Sequence, residues 1–143
     1  MDLEKYTERA RGFLQSAQSL ALREGHQQFT PEHLLKVLID DPEGLAGGLI
    51  DRAGGRSRDV LAGVEAALAK MPKVEGGGAG QLYLTPQLAR VFAAAEKAAK
   101  TAGDNFVTVE RLLLALAIEK DSEAGKLLAR AGVTPHGMNG AIE

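Results

Sequence analysis

The feature that most constrains this chain is an internal repeat with an offset of 78 positions. Positions 7–54 align with positions 85–132 without a gap, and 15 of the 48 pairs are identical. Matches between leucines or alanines could arise by chance, but glycines and threonines coincide as well. A repeat of this length predicts that one structural unit is built twice. The matched pairs include Thr7 with Thr85, Gly25 with Gly103, Thr30 with Thr108, Glu32 with Glu110 and Gly54 with Gly132.

Threonine and glycine mark the ends of helices in both copies. Threonine before a helix can accept a backbone hydrogen bond, and glycine tolerates the left-handed conformation just past a helix end. Between these markers, apolar residues recur at steps of three and four, as in amphipathic helices. We predict eight helices and no strand, because sustained alternation and hairpin turns are absent. The predicted starts are Thr7, Thr30, Leu45 and Ser57 in the first copy, and Thr85, Thr108, Ala124 and Thr134 in the second.

A glycine-rich segment, PKVEGGGAG at positions 72–80, joins the two copies and is typical of a flexible connector. We divide the chain into a first repeat at about 1–71, a connector at 72–84 and a second repeat at about 85–143. The helices that follow Thr30 and Thr108 are apolar on nearly every side, as enclosed helices are. The expected fold is all-α, with two pseudo-twofold-related four-helix repeats packed into one eight-helix globular domain.

Charge and residue content exclude several kinds of partner. The net charge is −2, basic residues are scattered among acidic ones and tryptophan is absent, so a nucleic-acid partner is not expected. No apolar run approaches the ~20 residues of a membrane-spanning helix, and the first residues lack an export signal. We expect no membrane partner and a cytoplasmic location. The absence of cysteine is compatible with a reducing compartment.

Motifs for catalysis and for cofactor binding are incomplete. The spacing of Gly132 and Gly137 copies a phosphate-binding loop, but Met138 and Asn139 stand where lysine and a hydroxyl residue would be needed. The three histidines lack a metal-ligand spacing, and no serine lies in a Gly-x-Ser-x-Gly elbow. We expect a non-catalytic chain without a bound metal or cofactor.

Two groups of residues have both a structural and a binding interpretation. Glu32 and Glu110 fit first-turn charges at helix N-termini, and Asp104 fits a turn. Alternatively, pseudo-symmetry brings these acidic groups to a groove between the repeats, where they would meet a basic peptide. Large apolar residues near the turns belong either to the core or to the rim of a patch that binds apolar peptide. These residues are Leu22, Phe29, Phe106, Val107 and Val109.

The most specific segments are GDNFV at 103–107, TVERLL at 108–113 and its counterpart TPEHLL at 30–35. With AGV at 131–133, they resemble the double Clp N-terminal repeat, which stands at the front of AAA+ unfoldases of the Clp and heat-shock class. MPKVEG at 71–76, followed by LTP at 84–86, resembles the disaggregase branch of that family rather than the protease-associated branches. The likeness covers essentially the whole chain.

The resemblance implies the substrate-recognition domain of an ATP-dependent protein disaggregase. Such a domain binds unfolded or aggregated polypeptides and helps to deliver them to the pore of a homohexamer, which works with the DnaK chaperone system. ATP and magnesium would be bound by ATPase modules that this chain lacks, and the isolated domain would be a monomer. Adaptor docking, as in the protease-associated branches, is the alternative. A third hypothesis, an unrelated helical enzyme, would require turnover by the isolated chain.

The family associates polar positions matched by Thr7, Asp104 and Glu110 with substrate engagement. Its apolar groove walls fall at positions held here by Ala94, Ala98 and Arg111, which implies a shallower groove in this chain. The predicted substrate-binding residues are Thr7, Glu32, Asp104, Phe106, Val107, Val109, Glu110 and Arg111.

Overall fold

A computed structural model describes residues 2–74 and 81–143 of the chain. The described residues form eight α-helices, as the sequence predicts. Six residues of the predicted connector, 75–80, lie outside the described part. In the first repeat the elements are α1 Glu8–Arg23, β1 Gln28–Phe29, α2 Pro31–Ile39, α3 Leu45–Arg52 and α4 Ser57–Ala69. In the second they are β2 Tyr83–Leu84, α5 Pro86–Thr101, α6 Val109–Ile118, α7 Glu123–Arg130 and α8 Pro135–Ile142.

Threonine caps five of these helices. In each case the side-chain oxygen accepts a hydrogen bond from the backbone N–H three residues later, which satisfies one of the donors left free at a helix start. The prediction from the repeat is therefore confirmed. The capping residues are Thr7, Thr30, Thr85, Thr108 and Thr134. One cap was not predicted: the hydroxyl of Ser122 accepts from the N–H of Gly125 at 2.9 Å and starts α7.

The turns that end α1 and α5 depend on glycine. Gly25 has a φ of 72° and Gly103 a φ of 80°, in the left-handed region that side chains rarely adopt. At each turn the backbone N–H of the next residue reaches back to the last turn of the helix, from His26 to Ala21 and from Asp104 to Ala99. Helices α1 and α5, the first helix of each repeat, consequently end in the same way.

Two short parallel pairings join the repeats, and they show that the prediction of no strand was wrong. β1 pairs with β2, with Phe29 opposite Leu84. Tyr6 forms an isolated parallel bridge with Val107. Because Tyr6 corresponds to Leu84 and Phe29 to Val107 under the offset of 78, the two pairings are pseudo-twofold equivalents.

Hydrogen bonds confirm this equivalence. The N–H of Thr7 donates to the carbonyl of Val107 at 3.0 Å, and the N–H of Thr85 donates to the carbonyl of Phe29 at 3.1 Å. Each repeat thus pairs the segment before its first helix with the turn before the second helix of the other repeat. The strands are only two residues long, so no alternating pattern could reveal them in the sequence.

The core is continuous across both repeats and is centred on α2 and α6. Leucines of these two helices are fully buried and belong to a single hydrophobic cluster: Leu34, Leu35, Leu38, Leu112, Leu113 and Leu116. Helix α2 contacts α5, α6 and α7, and α3 contacts α8. The expectation that the two repeats pack into one body around their apolar second helices is therefore confirmed.

Candidate functional site

A surface groove of about 710 Å³ runs between α5, α6 and α8. We call it the α5–α8 groove. Its residues include apolar, basic and polar side chains from all three helices and from the end of the chain. They are Ala94, Lys97, Ala98, Thr101, Ala102, Arg111, Leu114, Ile118, Pro135, His136, Asn139 and Glu143.

The floor of the α5–α8 groove is apolar because two helices present side chains at a spacing of four. Ala94 and Ala98 lie on one face of α5, and Leu114 and Ile118 lie on one face of α6. Alanine on α5 leaves room between the helices that a larger side chain would fill. Ile118 remains 43% exposed although it ends an apolar helix, so an apolar surface is open to solvent here.

A second depression, of about 490 Å³, lies beside the first. It is formed by α5, the turn after it and Lys5, and Lys97 lines both depressions. We call it the turn depression. Three of the predicted binding residues, Asp104, Phe106 and Val107, line it. The Phe106 side chain is 51% exposed and supplies apolar surface there.

Arg111 connects the two depressions. Its guanidinium Nε lies 3.5 Å from the carboxylate of Asp104, and a terminal nitrogen donates to the side chain of Asn139 at 3.2 Å. The ion pair therefore ties the turn after α5 to α6, and the hydrogen bond ties α6 to α8. Because the Arg111 side chain is only 15% exposed, these contacts fix its position in the wall of the groove.

The first repeat holds a different pair at the positions equivalent to Asp104 and Arg111. There, His26 Nδ1 lies 2.8 Å from His33 Nε2, and both imidazoles are buried. His33 Nδ1 accepts from the N–H of Thr30 at 3.1 Å, which completes a capping box at the start of α2. The same place in the fold thus carries a buried neutral pair in one repeat and an ion pair in the other.

Glu32 lies away from the α5–α8 groove, in a small depression between the repeats that Asp121 and Glu123 also line. Its side chain is 7% exposed, and the carboxylate accepts from the N–H of Ala124 at 3.0 Å, at the start of α7 in the other repeat. Burial raises the pKa of Glu32, against the opposing effect of the Ala124 hydrogen bond, which lowers it. The structural interpretation, a charge at a helix N-terminus, applies to Glu32, although the helix is α7 rather than its own α2.

The two other acidic candidates differ from Glu32. The carboxylate of Asp104 forms an ion pair with Arg111. Glu110 is half-buried, and within residues 2–74 and 81–143 its carboxylate has no hydrogen-bonding or ion-pairing side chain. Glu32, Asp104 and Glu110 therefore have separate surroundings and do not line one common depression.

The exposed fraction of each side chain shows which of the apolar candidates lie on the surface and which lie in the core. Phe29, Val107 and Val109 are 4%, 2% and 3% exposed, so their side chains belong to the core, although Val107 also lines the turn depression. Phe106 and Leu22 are 51% and 44% exposed. The backbone carbonyl of Val107 accepts a hydrogen bond from the N–H of Thr7. Thr7, Asp104, Phe106 and Arg111 thus cluster around the turn after α5, whereas Glu32 and Val109 do not.

Sequence reasoning missed several residues of the α5–α8 groove, namely Lys97, Leu114, Ile118, Pro135, His136 and Asn139. One signal was available for Ile118, because it ends an apolar run where a helix leaves the core. No signal was available for the α8 residues, since their position depends on how α8 packs against α6.

Among the described residues, no group of three or more histidine, aspartate or glutamate side chains could hold a metal ion. None of the helices in that part of the chain combines the length and the apolar character that crossing a membrane would require.

Solved structures share this fold. The Hsp104 N-terminal domain from Candida albicans superimposes with a TM-score of 0.81 at 24% identity, over 97% of this chain and 90% of that one. The N-terminal domain of the caseinolytic-protease-associated chaperone ClpD from Arabidopsis thaliana gives 0.68 at 24% identity, over 98% and 96%. At this level of identity the likeness establishes the architecture alone.

Two ClpB chaperones are much more similar to this chain in sequence. The chaperone protein ClpB of Rhodopseudomonas palustris is 72% identical over 142 residues, and that of Rhizobium meliloti is 64% identical over the same length. Each match covers 99% of this chain and 16% of the relative, so the chain spans about a sixth of their length. The model of the Clp repeat (R) N-terminal domain matches residues 5–131. The chain therefore belongs to the Clp repeat N-terminal domain family and is similar to the N-terminal region of ClpB chaperones.

Proposed function

We propose that this chain is the substrate-recognition domain of an ATP-dependent protein disaggregase, and that it captures exposed apolar segments of unfolded or aggregated proteins in the α5–α8 groove. The observation that supports this best is the apolar floor of that groove, with Ile118 open to solvent, on a domain similar to the N-terminal region of ClpB. Exposed apolar surface that is rimmed by polar groups marks sites of protein interaction.

The shape of the groove favours weak and reversible capture. On the α5 side its floor consists of alanine, so a bound segment would bury little apolar area there, and ordering an extended chain costs entropy. Weak binding suits a domain that must pass its substrate onward. In this proposal the parent is a homohexamer that holds ATP and magnesium in other modules, receives the segment in its pore and works with the DnaK chaperone system.

Replacing Ile118 with glutamate is expected to weaken capture of an unfolded protein on the order of tenfold, because a charge would be placed on the apolar floor. The matched control is Leu22→Glu on α1, since Leu22 is 44% exposed, like Ile118, but does not line the groove. The measurement is titration of each variant with reduced, carboxymethylated α-lactalbumin, with the thermal midpoint as a check on folding. Equal capture by the two variants would contradict the assignment to this groove.

The same titration separates capture of unfolded proteins from adaptor docking. A capture domain binds the unfolded α-lactalbumin and not the native protein. An adaptor-docking domain is indifferent to the unfolded chain and binds one folded partner tightly.

Glu110 and Asp104, which match the family's polar engagement positions, have distinct proposed roles. The Glu110 carboxylate lines neither depression and has no ion-pair partner among the described residues, so we assign it a contact with the part of a bound segment that extends beyond the groove. Glu110→Gln is expected to lower capture a few-fold with little change in stability. Asp104 acts by holding Arg111 in place, so Asp104→Ser is expected to lower capture through the position of Arg111. Unchanged capture in both variants would remove these residues from the site.

A further inference from the structure

Two carboxylates near α5, those of Glu96 and Asp104, are paired within the domain. Glu96 accepts a hydrogen bond from the Tyr6 hydroxyl at 2.9 Å and lies 3.7 Å from the Lys5 ammonium. Asp104 is paired with Arg111 at 3.5 Å. These carboxylates are therefore not available to attract a basic ligand.

Two lysines on the same helix remain available. Lys97 lines both the α5–α8 groove and the turn depression, and Lys100 lines the turn depression. Both residues are exposed, and within the described part of the chain neither forms an ion pair. Arg111 adds a third cation in the groove wall, where two of the five guanidinium N–H groups are directed to Asp104 and Asn139.

From this charge distribution we propose that the α5–α8 groove prefers apolar segments that carry aspartate or glutamate beside the apolar core. This inference rests on the proposed function and adds the chemical class of the substrate. It reverses the sequence-based expectation of a basic peptide, because Asp104 is paired with Arg111, Glu32 is buried, and the third acidic candidate, Glu110, lines neither the α5–α8 groove nor the turn depression.

Glu143 is the one carboxylate among the described residues that lines the α5–α8 groove, and it follows the last residue of α8. An acidic ligand group is therefore expected to approach α5, where Lys97 and Lys100 lie, rather than the end of α8. Ala94 and Ala98 leave open space along α5, which the apolar side chains of a bound segment would occupy.

The test uses three fluorescein-labelled peptides with one core of leucine, valine and alanine and flanks of aspartate, serine or lysine. The whole chain should bind the aspartate peptide on the order of tenfold more tightly than the lysine peptide, with the serine peptide between them. The difference should shrink at about 0.5 M salt, since surface charges are screened. In the double variant Lys97→Glu with Lys100→Glu, the order of the peptides should reverse.

The control is the double variant Lys70→Glu with Lys126→Glu, which changes the net charge by the same amount at exposed sites outside the α5–α8 groove. It should keep the preference for the aspartate peptide. Equal binding of all three peptides, or a preference that survives reversal at Lys97 and Lys100, would overturn this inference and leave the proposed function standing. Failure to bind both the peptides and unfolded α-lactalbumin would overturn the two together.

Discussion

Replacing Gly125 with alanine is expected to lower the free energy of unfolding by about 3 kcal/mol or more. Gly125 lies in the first turn of α7, where the backbone of the preceding loop comes close. A Cβ at this position would lie 2.0 Å from the carbonyl oxygen of Glu119 and 3.0 Å from the Cα of Lys120. Because both are backbone atoms, neither can rotate away, and the loop or the helix must move.

The repeat supplies a matched control at Gly47, which occupies the equivalent place in α3. A Cβ there would meet only the Ser57 side chain, at 3.6 Å, which is ordinary contact. Alanine is a better helix former than glycine, so Gly47→Ala is expected to raise the free energy of unfolding by about 0.5–1 kcal/mol. Denaturant unfolding of both variants measures the two effects. A similar change in both would show that the close approach at Gly125 is not decisive.

The second large expected effect is a loss of stability in acid that originates in the buried histidine pair. The hydrogen bonds assign the protons: His33 Nδ1 accepts from Thr30, so Nε2 carries the proton and donates to His26 Nδ1. A further proton on His33 would have to go to Nδ1, which would abolish the acceptor of the capping box. Burial, with a smaller contribution from His26, lowers the pKa of His33 to about 4. Burial also lowers the pKa of His26.

The direction of the pH effect follows from the depressed pKa. The pKa of His33 in the unfolded chain is about 6.5. Above this pH, His33 is neutral in both the folded and the unfolded state, and its contribution to stability is fully present. As the pH falls towards about 4, the unfolded chain takes up a proton on His33 that the folded chain does not. The free energy of unfolding should therefore fall by about 3 kcal/mol over this range from His33 alone, at ~1.4 kcal/mol for each pH unit.

His33→Gln tests this origin. Glutamine can accept from Thr30 and donate to His26 as the imidazole does, but it cannot titrate. Denaturant unfolding at about pH 7.5 and about pH 4.5 should show a smaller loss in the variant than in the natural chain. The same loss in both chains would place the acid sensitivity elsewhere, for example in the paired carboxylates.

The two repeats show how one backbone position can serve different purposes. His26 with His33 and Asp104 with Arg111 are equivalent pairs, each of which ties the turn after a first helix to the second helix. The imidazole pair is buried, whereas Arg111 also reaches the α5–α8 groove. In the second repeat, the pair of Asp104 and Arg111 therefore includes a residue, Arg111, that can also contact a ligand in the groove.

The local features of the fold were predictable because each depends on a few neighbouring residues. Thr30 and Thr108 cap their helices through an N–H three positions away, and Gly25 and Gly103 end theirs by a backbone dihedral angle. The 78-residue offset then predicts that whatever holds in one repeat is built again in the other. Eight helices and a shared core follow from these signals and from the apolar faces of α2 and α6.

The site was less predictable because its properties depend on contacts between distant residues. The sequence alone determined a duplicated helical scaffold, since capping, turn conformation and periodicity are properties of short segments. Tertiary structure decided that Glu32 caps α7 across the repeat boundary, that Val109 is buried and that Ile118 remains exposed. It also decided which charges near α5 are paired, because an ion pair such as Asp104 with Arg111 forms only where packing brings the two side chains together.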